Sequence, residues 1–172
     1  MTVRTVILAL ILVQIFVTGC TRTREADVRD IYEMAINWYV DRVGGAHKVL
    51  AYSKPHHWSL YQDYLQEVPG DFRGAVSELV EVSRERSELD GLLPTGCEVA
   101  DIPLVGLWPQ NGNQWIIWVS GVGFSEDRTR AAVACGYICP EGHLLCGEWG
   151  LYLLKRVDGE WKRDQVAIMI VS

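Results

Sequence analysis

The chain of 172 residues is short of positive charge: 16 lysines and arginines stand against 22 acidic residues, for a net charge of −6. It has no basic block, so an electrostatic grip on a nucleic-acid backbone is not expected. It lacks an apolar run of the ~20 residues that a membrane-crossing helix needs. It also lacks a Gly-x-Ser-x-Gly elbow, a phosphate-binding loop and a His-Glu-x-x-His helix, the compact signatures of serine hydrolases, nucleotide-binding enzymes and zinc peptidases. No internal repeat or low-complexity segment is present, and nothing implies a cofactor.

The first distinctive feature is at the start. Arg4 gives a short positive beginning, and an apolar stretch over 5–17, broken only by Gln14, has the length of a signal-peptide core. Val17-Thr18-Gly19-Cys20 follows it and resembles the bacterial lipobox: an aliphatic residue, two small ones, then cysteine. The resemblance implies that the Cys20 thiol receives a diacylglycerol. Residues 1–19 are then removed, and the new amino group takes a fatty acid such as palmitate. Only a thiol is nucleophilic enough for that transfer, and small neighbours admit the bond to the peptidase. The alternatives are an ordinary cysteine after an ordinary signal peptide, or the end of an uncleaved anchor. Two or three acyl chains hold a protein firmly where one is marginal. Thr21 after the cysteine, rather than Asp, resembles the outer-membrane sorting class. The implied location is therefore the cell envelope, at the outer membrane facing the periplasm if the cell has two membranes.

Loss of residues 1–19 leaves 153, enough for one domain with a core, and removes one charge, Arg4. All seven tryptophans and all seven tyrosines remain. The expected organisation is a lipidated polar tether over 20–25 and a single domain over 26–172. Val28, Ile31, Tyr32, Ala35, Trp38 and Tyr39 recur at spacings of three and four, which predicts a helix over 26–42. Asp27, Asp30 and Glu33 in its early turns suit the helix dipole, and Gly44-Gly45 stops it. Trp58, Tyr61 and Leu65 could share one face of a short helix over 55–66. A further helix begins at Asp71 and is ended by Gly91 and Pro94.

From Gly96 the character changes to strand. The spacing predicts strands over 114–124, 129–138, 148–157 and 161–171, with turns at 125–128 and 158–159 and a loop over 139–146. Asp158-Gly159 is a strong hairpin signal. A two-residue turn there sets Val157 opposite Glu160, Leu153 opposite Asp164, Leu151 opposite Val166 and Trp149 opposite Ile168. That gathers Trp149, Leu151, Leu153, Val166, Ile168 and Ile170 on one face. The expected fold is α+β, with two or three helices packed against one face of a curved four-stranded antiparallel meander. A cystatin-like or nuclear-transport-factor-like cone is the specific form expected, and a helix with a sandwich is the alternative.

With Cys20 acylated, Cys97, Cys135, Cys139 and Cys146 remain. An even number of thiols in an oxidising compartment reads as two disulfides. Cys135 and Cys139 on one extended strand would lie ~13 Å apart, beyond the ~7 Å limit between bridged α-carbons. Cys139 and Cys146 flank a short loop and can meet across its mouth, which leaves Cys97 for Cys135. The competing reading is a metal set of Cys135, Cys139, His143 and Cys146.

Beyond the cysteines, the segment from Gly121-Val122-Gly123-Phe124 to Ala131-Ala132-Val133, Cys146-Gly147, Leu151 with Lys155, Gly159-Glu160-Trp161 and the terminal Ser172 resemble a group of uncharacterised bacterial secreted proteins and lipoproteins. The resemblance covers about residues 119–172 and implies export and fold only. This chain departs from that group in its longer 140–145 loop, its additional thiol, and an Ile168-Met169-Ile170-Val171 run where a tryptophan is usual.

No catalytic set stands out. Adjacent His56 and His57 point different ways on a helix and read as a surface pair, as His47 and His143 read as solvated. Glu141 and Glu148 flank Cys146 and would suit a two-carboxylate hydrolase of envelope polymers, but nothing fixes their separation. Trp38, Tyr39, Trp115 and Trp149 could line a pocket for a small apolar ligand. Trp115 and Trp118 fall on opposite faces of one strand. The reading that fits best is a non-catalytic envelope lipoprotein that binds or scaffolds an envelope partner.

Overall fold

The computed structural model describes residues 22–42, 49–53, 65–84, 92, 97–99, 116–138 and 147–171. Helix α1 spans Arg24–Arg42, strand β1 Val49–Ser53, helix α2 Arg73–Val82 after a 3-10 turn at Gly70–Phe72, and strand β2 Cys97–Val99. Strands β3 (Ile116–Phe124), β4 (Arg130–Ile138), β5 (Gly147–Val157) and β6 (Glu160–Val171) follow. The fold is α+β, and β3 to β6 form the expected antiparallel meander. Two short strands extend it beyond β3: β1 lies parallel to β3, and β2 lies parallel to β1, giving the order β2-β1-β3-β4-β5-β6. Strand β1 was not expected, because Val49–Ser53 is too short to show an alternation of its own, whereas β2 falls where the character was expected to change to strand, after Gly96. Of the helix expected over 55–66, only 65–66 lie among the described residues, and these are helical. The helix expected from Asp71 ends at Val82.

The helices do not share one face of the sheet. Ile31, Tyr32, Ala35, Ile36 and Tyr39 of α1 pack on Ile117, Val119, Val133, Cys135, Tyr152, Leu154 and Trp161. Phe72, Ala75, Val76 and Leu79 at α2 pack on Trp118, Ala132, Ala134, Leu151 and Leu153. Successive strand residues point to opposite faces, so Val119 and Trp118, or Tyr152 and Leu153, serve different cores. Strands β3 to β5 are apolar at consecutive positions because both of their faces are covered. The expected one-sided layer is thus corrected to a sheet between two helices.

The last hairpin is also corrected. Val157 does face Glu160, and Asp158 (φ 54°) and Gly159 (φ 84°) take the left-handed conformations that a tight turn of this kind requires. Two irregularities then displace the register, so that Leu153 faces Gln165, Leu151 faces Ile168 and Trp149 faces Ile170. The first leaves Asp164 outside the ladder, where it pairs with Lys155. Val166 consequently joins the α1 core and Ala167 the α2 core. A bulge at the charged residue turns the following side chains over.

Candidate functional site

The polar groups of the described residues concentrate where α1 begins. Thr23 caps the helix, its hydroxyl accepting from the Ala26 amide at 3.2 Å. One turn in, Asp27 is fully buried. Its carboxylate accepts from Arg156 at 3.0 Å, from the Trp161 indole at 3.1 Å and from Arg128, and lies 3.5 Å from Arg22. The arginines come from three places: the residues before α1, the β3–β4 turn and the end of β5. A buried charge is tolerated only when its partners replace water, and three donors and a further arginine around one carboxylate do so.

The same end is tied further. Arg22 also pairs with Asp30, and its carbonyl accepts from Arg128 at 2.9 Å. Arg24 reaches over the Phe124 ring to Glu78 of α2 at 2.8 Å, and the Phe124 amide donates to that carboxylate. Arg130 pairs with Asp71 at 3.1 Å. The β3–β4 turn is organised by Asp127, which accepts from the Ser125 hydroxyl at 2.7 Å and from the Thr129 amide at 3.0 Å. The Ser125 hydroxyl, then the Thr129 amide and hydroxyl, hold the Asp127 carboxyl down to about 2. Arg128 in this turn is left-handed, with φ 54°, and this conformation lets its guanidinium reach back to Asp27. The polar tether expected over 20–25 is therefore corrected: from Arg22 onward the chain already belongs to the fold.

A second polar cluster lies farther along the α1 face. The Tyr39 and Tyr152 hydroxyls are 2.6 Å apart, and Tyr39 donates to the Cys135 carbonyl at 3.1 Å. Burial pushes the Tyr152 phenol up to about 12 and the Tyr39 phenol higher still, the neighbouring Cys135 adding to the latter. Burial likewise pushes the Cys135 thiol well above the usual thiol range. Trp38 packs on Tyr152 with ring centres 4.8 Å apart, and Arg163 covers Trp38. Glu148 is buried at the same end of the sheet, paired in register with Tyr137.

The expected site residues separate accordingly. Trp38 and Tyr39 belong to the α1 face, whereas Trp149 packs against Trp118, 6.1 Å away, in the α2 core. The sheet divides them, because position 149 alternates with 148 and 152, and they do not line one cavity. Trp115 lies outside the described residues, as do His47, His56, His57, Glu141, His143, Cys139, Cys146 and Cys20. Cys135 is a free, buried thiol. The expected Cys97–Cys135 bridge is not made: Cys97 is on β2, which is separated from β4 by both β1 and β3 and so lies three strands away. At ~4.8 Å per strand that separation exceeds the reach of a disulfide. The β4–β5 ladder closes at Ile138 opposite Gly147, one residue short of Cys139 and Cys146 in sequence. Among the described residues, no group of three or more His, Cys, Asp or Glu is arranged to hold a metal. Among them, too, no helix is long and apolar enough to cross a membrane.

No protein family, curated protein or solved structure matches this chain.

The residue that sequence reasoning undervalued is Asp27, read only as a dipole partner. Its signal was present: Asp27, Ile31, Ala35 and Tyr39 follow one another at intervals of four, so an acid stands in line with the buried stripe of α1. Such a position requires cationic partners from elsewhere in the fold.

Proposed function

We propose that the chain is a lipid-anchored domain of the bacterial cell envelope that binds or scaffolds a partner. The observation that carries this reading is Val17-Thr18-Gly19-Cys20 directly after an apolar stretch, two residues ahead of a point where the chain is already pinned to its domain. Arg22 pairs with Asp27 and Asp30 and accepts from Arg128. The binding or scaffolding form of the reading is supported by how the buried ionisable groups are used. Asp27 holds three arginines together, Tyr39 and Tyr152 hold one another, and Cys135 is enclosed and kept protonated. A Cys139–Cys146 bridge remains part of the proposal, because the flanking residues Ile138 and Gly147 are ladder partners.

The test is growth of the producing bacterium with an alkyne-bearing fatty acid. The expected result is label on the wild-type chain in the membrane fraction and none on Cys20→Ala. Equal absence of label from both would contradict the anchor. Thiol counting by mass, with and without a reductant, checks the bridge: a gain of two hydrogen atoms on reduction is expected, and no change would remove it.

A further inference from the structure

If Cys20 carries lipid, the fold fixes how the domain stands on the membrane, an inference that rests on the anchor proposed above. From Cys20 to Arg22 there are two residue steps, a reach of ~7 Å at full extension. Arg22 cannot swing away from the domain, because its carbonyl is held by Arg128 and its side chain by Asp27 and Asp30. Whatever surrounds Arg22 is therefore held near the headgroups.

What surrounds it is one end of the molecule. Arg128 and Arg156 both reach Asp27, so the 125–129 turn and the residues beside the 158–159 turn meet there. Arg130 joins Asp71 to the same end, and a β-carbon on Gly74 would touch Ser125, so α2 begins there as well. Glu126, Asp127, Thr129, Asp158, Gly159 and Glu160 are exposed along this end.

We propose that this end, formed by the start of α1 and the 125–129 and 158–159 turns, is the face of the domain seated against lipid headgroups. The covalent anchor brings it there rather than charge. Arg22, Arg24, Arg128, Arg130 and Arg156 are committed to Asp27, Asp30, Glu78 and Asp71 of the fold itself. The exposed rim is acidic at Glu126, Asp127, Asp158 and Glu160, so charge on this rim does not draw it toward anionic bilayers. The opposite end follows. Strand β4 climbs eight residue steps from Arg130 to Ile138, about 27 Å at ~3.4 Å per step. The point where the chain leaves the sheet at Ile138 and rejoins it at Gly147 then stands away from the membrane, facing any partner in the aqueous space.

The experiment places a fluorescent amino acid at position 126, 160, 37 or 84 of the full lipidated chain, reconstituted into vesicles whose lipids carry a headgroup quencher. Asn37 is 13 residues beyond Arg24 in α1, about 20 Å along the helix, and Arg84 follows the far end of α2. All four positions are exposed. Quenching at 126 and 160 and its absence at 37 and 84 is expected. That difference should disappear when about 20 Gly and Ser residues are inserted between Thr21 and Arg22, which allow ~25 Å of excursion. Equal quenching at all four positions of a chain shown by mass to be acylated would overturn the orientation and leave the anchor standing. A chain without fatty acid on residue 20 would remove both.

Discussion

The two faces of the sheet are held by different physics. The α1 face carries buried polar groups with directed partners: Asp27 has arginines and Trp161, Tyr32 the Ser120 carbonyl at 3.0 Å, and Tyr39 has Tyr152 and the Cys135 carbonyl. The α2 face is aliphatic and aromatic, and its closeness depends on a missing side chain. A β-carbon on Gly123 would overlap the backbone of Ala75 and Leu79. The α1 face should therefore be the more sensitive to loss of a hydrogen-bonding group, and the α2 face the more sensitive to added volume. Contacts on the α2 face are short-range and non-directional, whereas those on the α1 face fix direction and join segments distant in sequence.

Substitutions should separate the faces, beginning with the largest effect. Gly123→Val drives a branched side chain into the backbone of α2, which cannot rotate aside. A loss of about 3 kcal/mol or more is expected in urea unfolding. A variant as stable as the wild type would show that α2 is free to lift. Asp27→Ala leaves Arg128, Arg156 and the Trp161 indole without their acceptor, and about 2–3 kcal/mol should be lost. The figure stays below the ~3–5 kcal/mol of a fully buried pair because the arginines are partly exposed and can regain water. Asp27→Asn should recover part of it, and full stability in Asp27→Ala would mean that the hub is ornamental.

Tyr39→Phe removes a hydroxyl that donates to the buried Cys135 carbonyl and accepts from Tyr152, and should cost about 1 kcal/mol. The pH dependence of the tyrosine pair has a definite sign. Their folded pKa values are raised, so the stability they give is complete below the ordinary tyrosine value of ~10. It is lost as pH rises through about 12, where Tyr152 ionises. A Tyr39→Phe, Tyr152→Phe chain should have a flatter alkaline limb, and an unchanged limb would count against the pair.

The smallest effect belongs to the exposed turn. Asp127 is lowered to about 2, so its contribution is present above the ordinary carboxylate range and lost as pH falls from about 4 to about 2. Asp127→Ala should be slightly less stable than the wild type at neutral pH and indistinguishable at the acid end of that window. A constant difference would mean that the turn is set by Arg128 and Ser125 instead.

Much of this architecture could be read in the chain, for reasons that differ by element. Helix α1 was legible because its apolar stripe repeats over four turns, and the hairpin because Asp158-Gly159 favours the backbone it adopts. The four meander strands showed themselves by β-branched and aromatic runs. The second covered face was written in the same strands, since Ala131 to Cys135 and Leu151 to Leu154 are apolar at every position, a pattern suited to burial on both sides. The register past Leu154 was not legible, because the bulge at Asp164 depends on a cross-strand partner, Lys155. Strands β1 and β2 draw their stability from a neighbour rather than from composition. The arginine hub joins Arg22, Asp27, Arg128 and Arg156 across more than a hundred residues, and no local spacing announces such a meeting. The aromatic pocket failed for the converse reason: residue type suggested Trp149 beside Trp38, but alternation along β5 sends it to the other side.

Anchoring, envelope location and orientation all depend on what is attached to residue 20. Intact-mass measurement of the chain extracted from membranes of the producing bacterium is the most direct test. The predicted result is a polypeptide beginning at Cys20 with its mass raised by a diacylglycerol and an N-linked fatty acid. A water-soluble chain that retains residues 1–19 and carries no acyl group would contradict it.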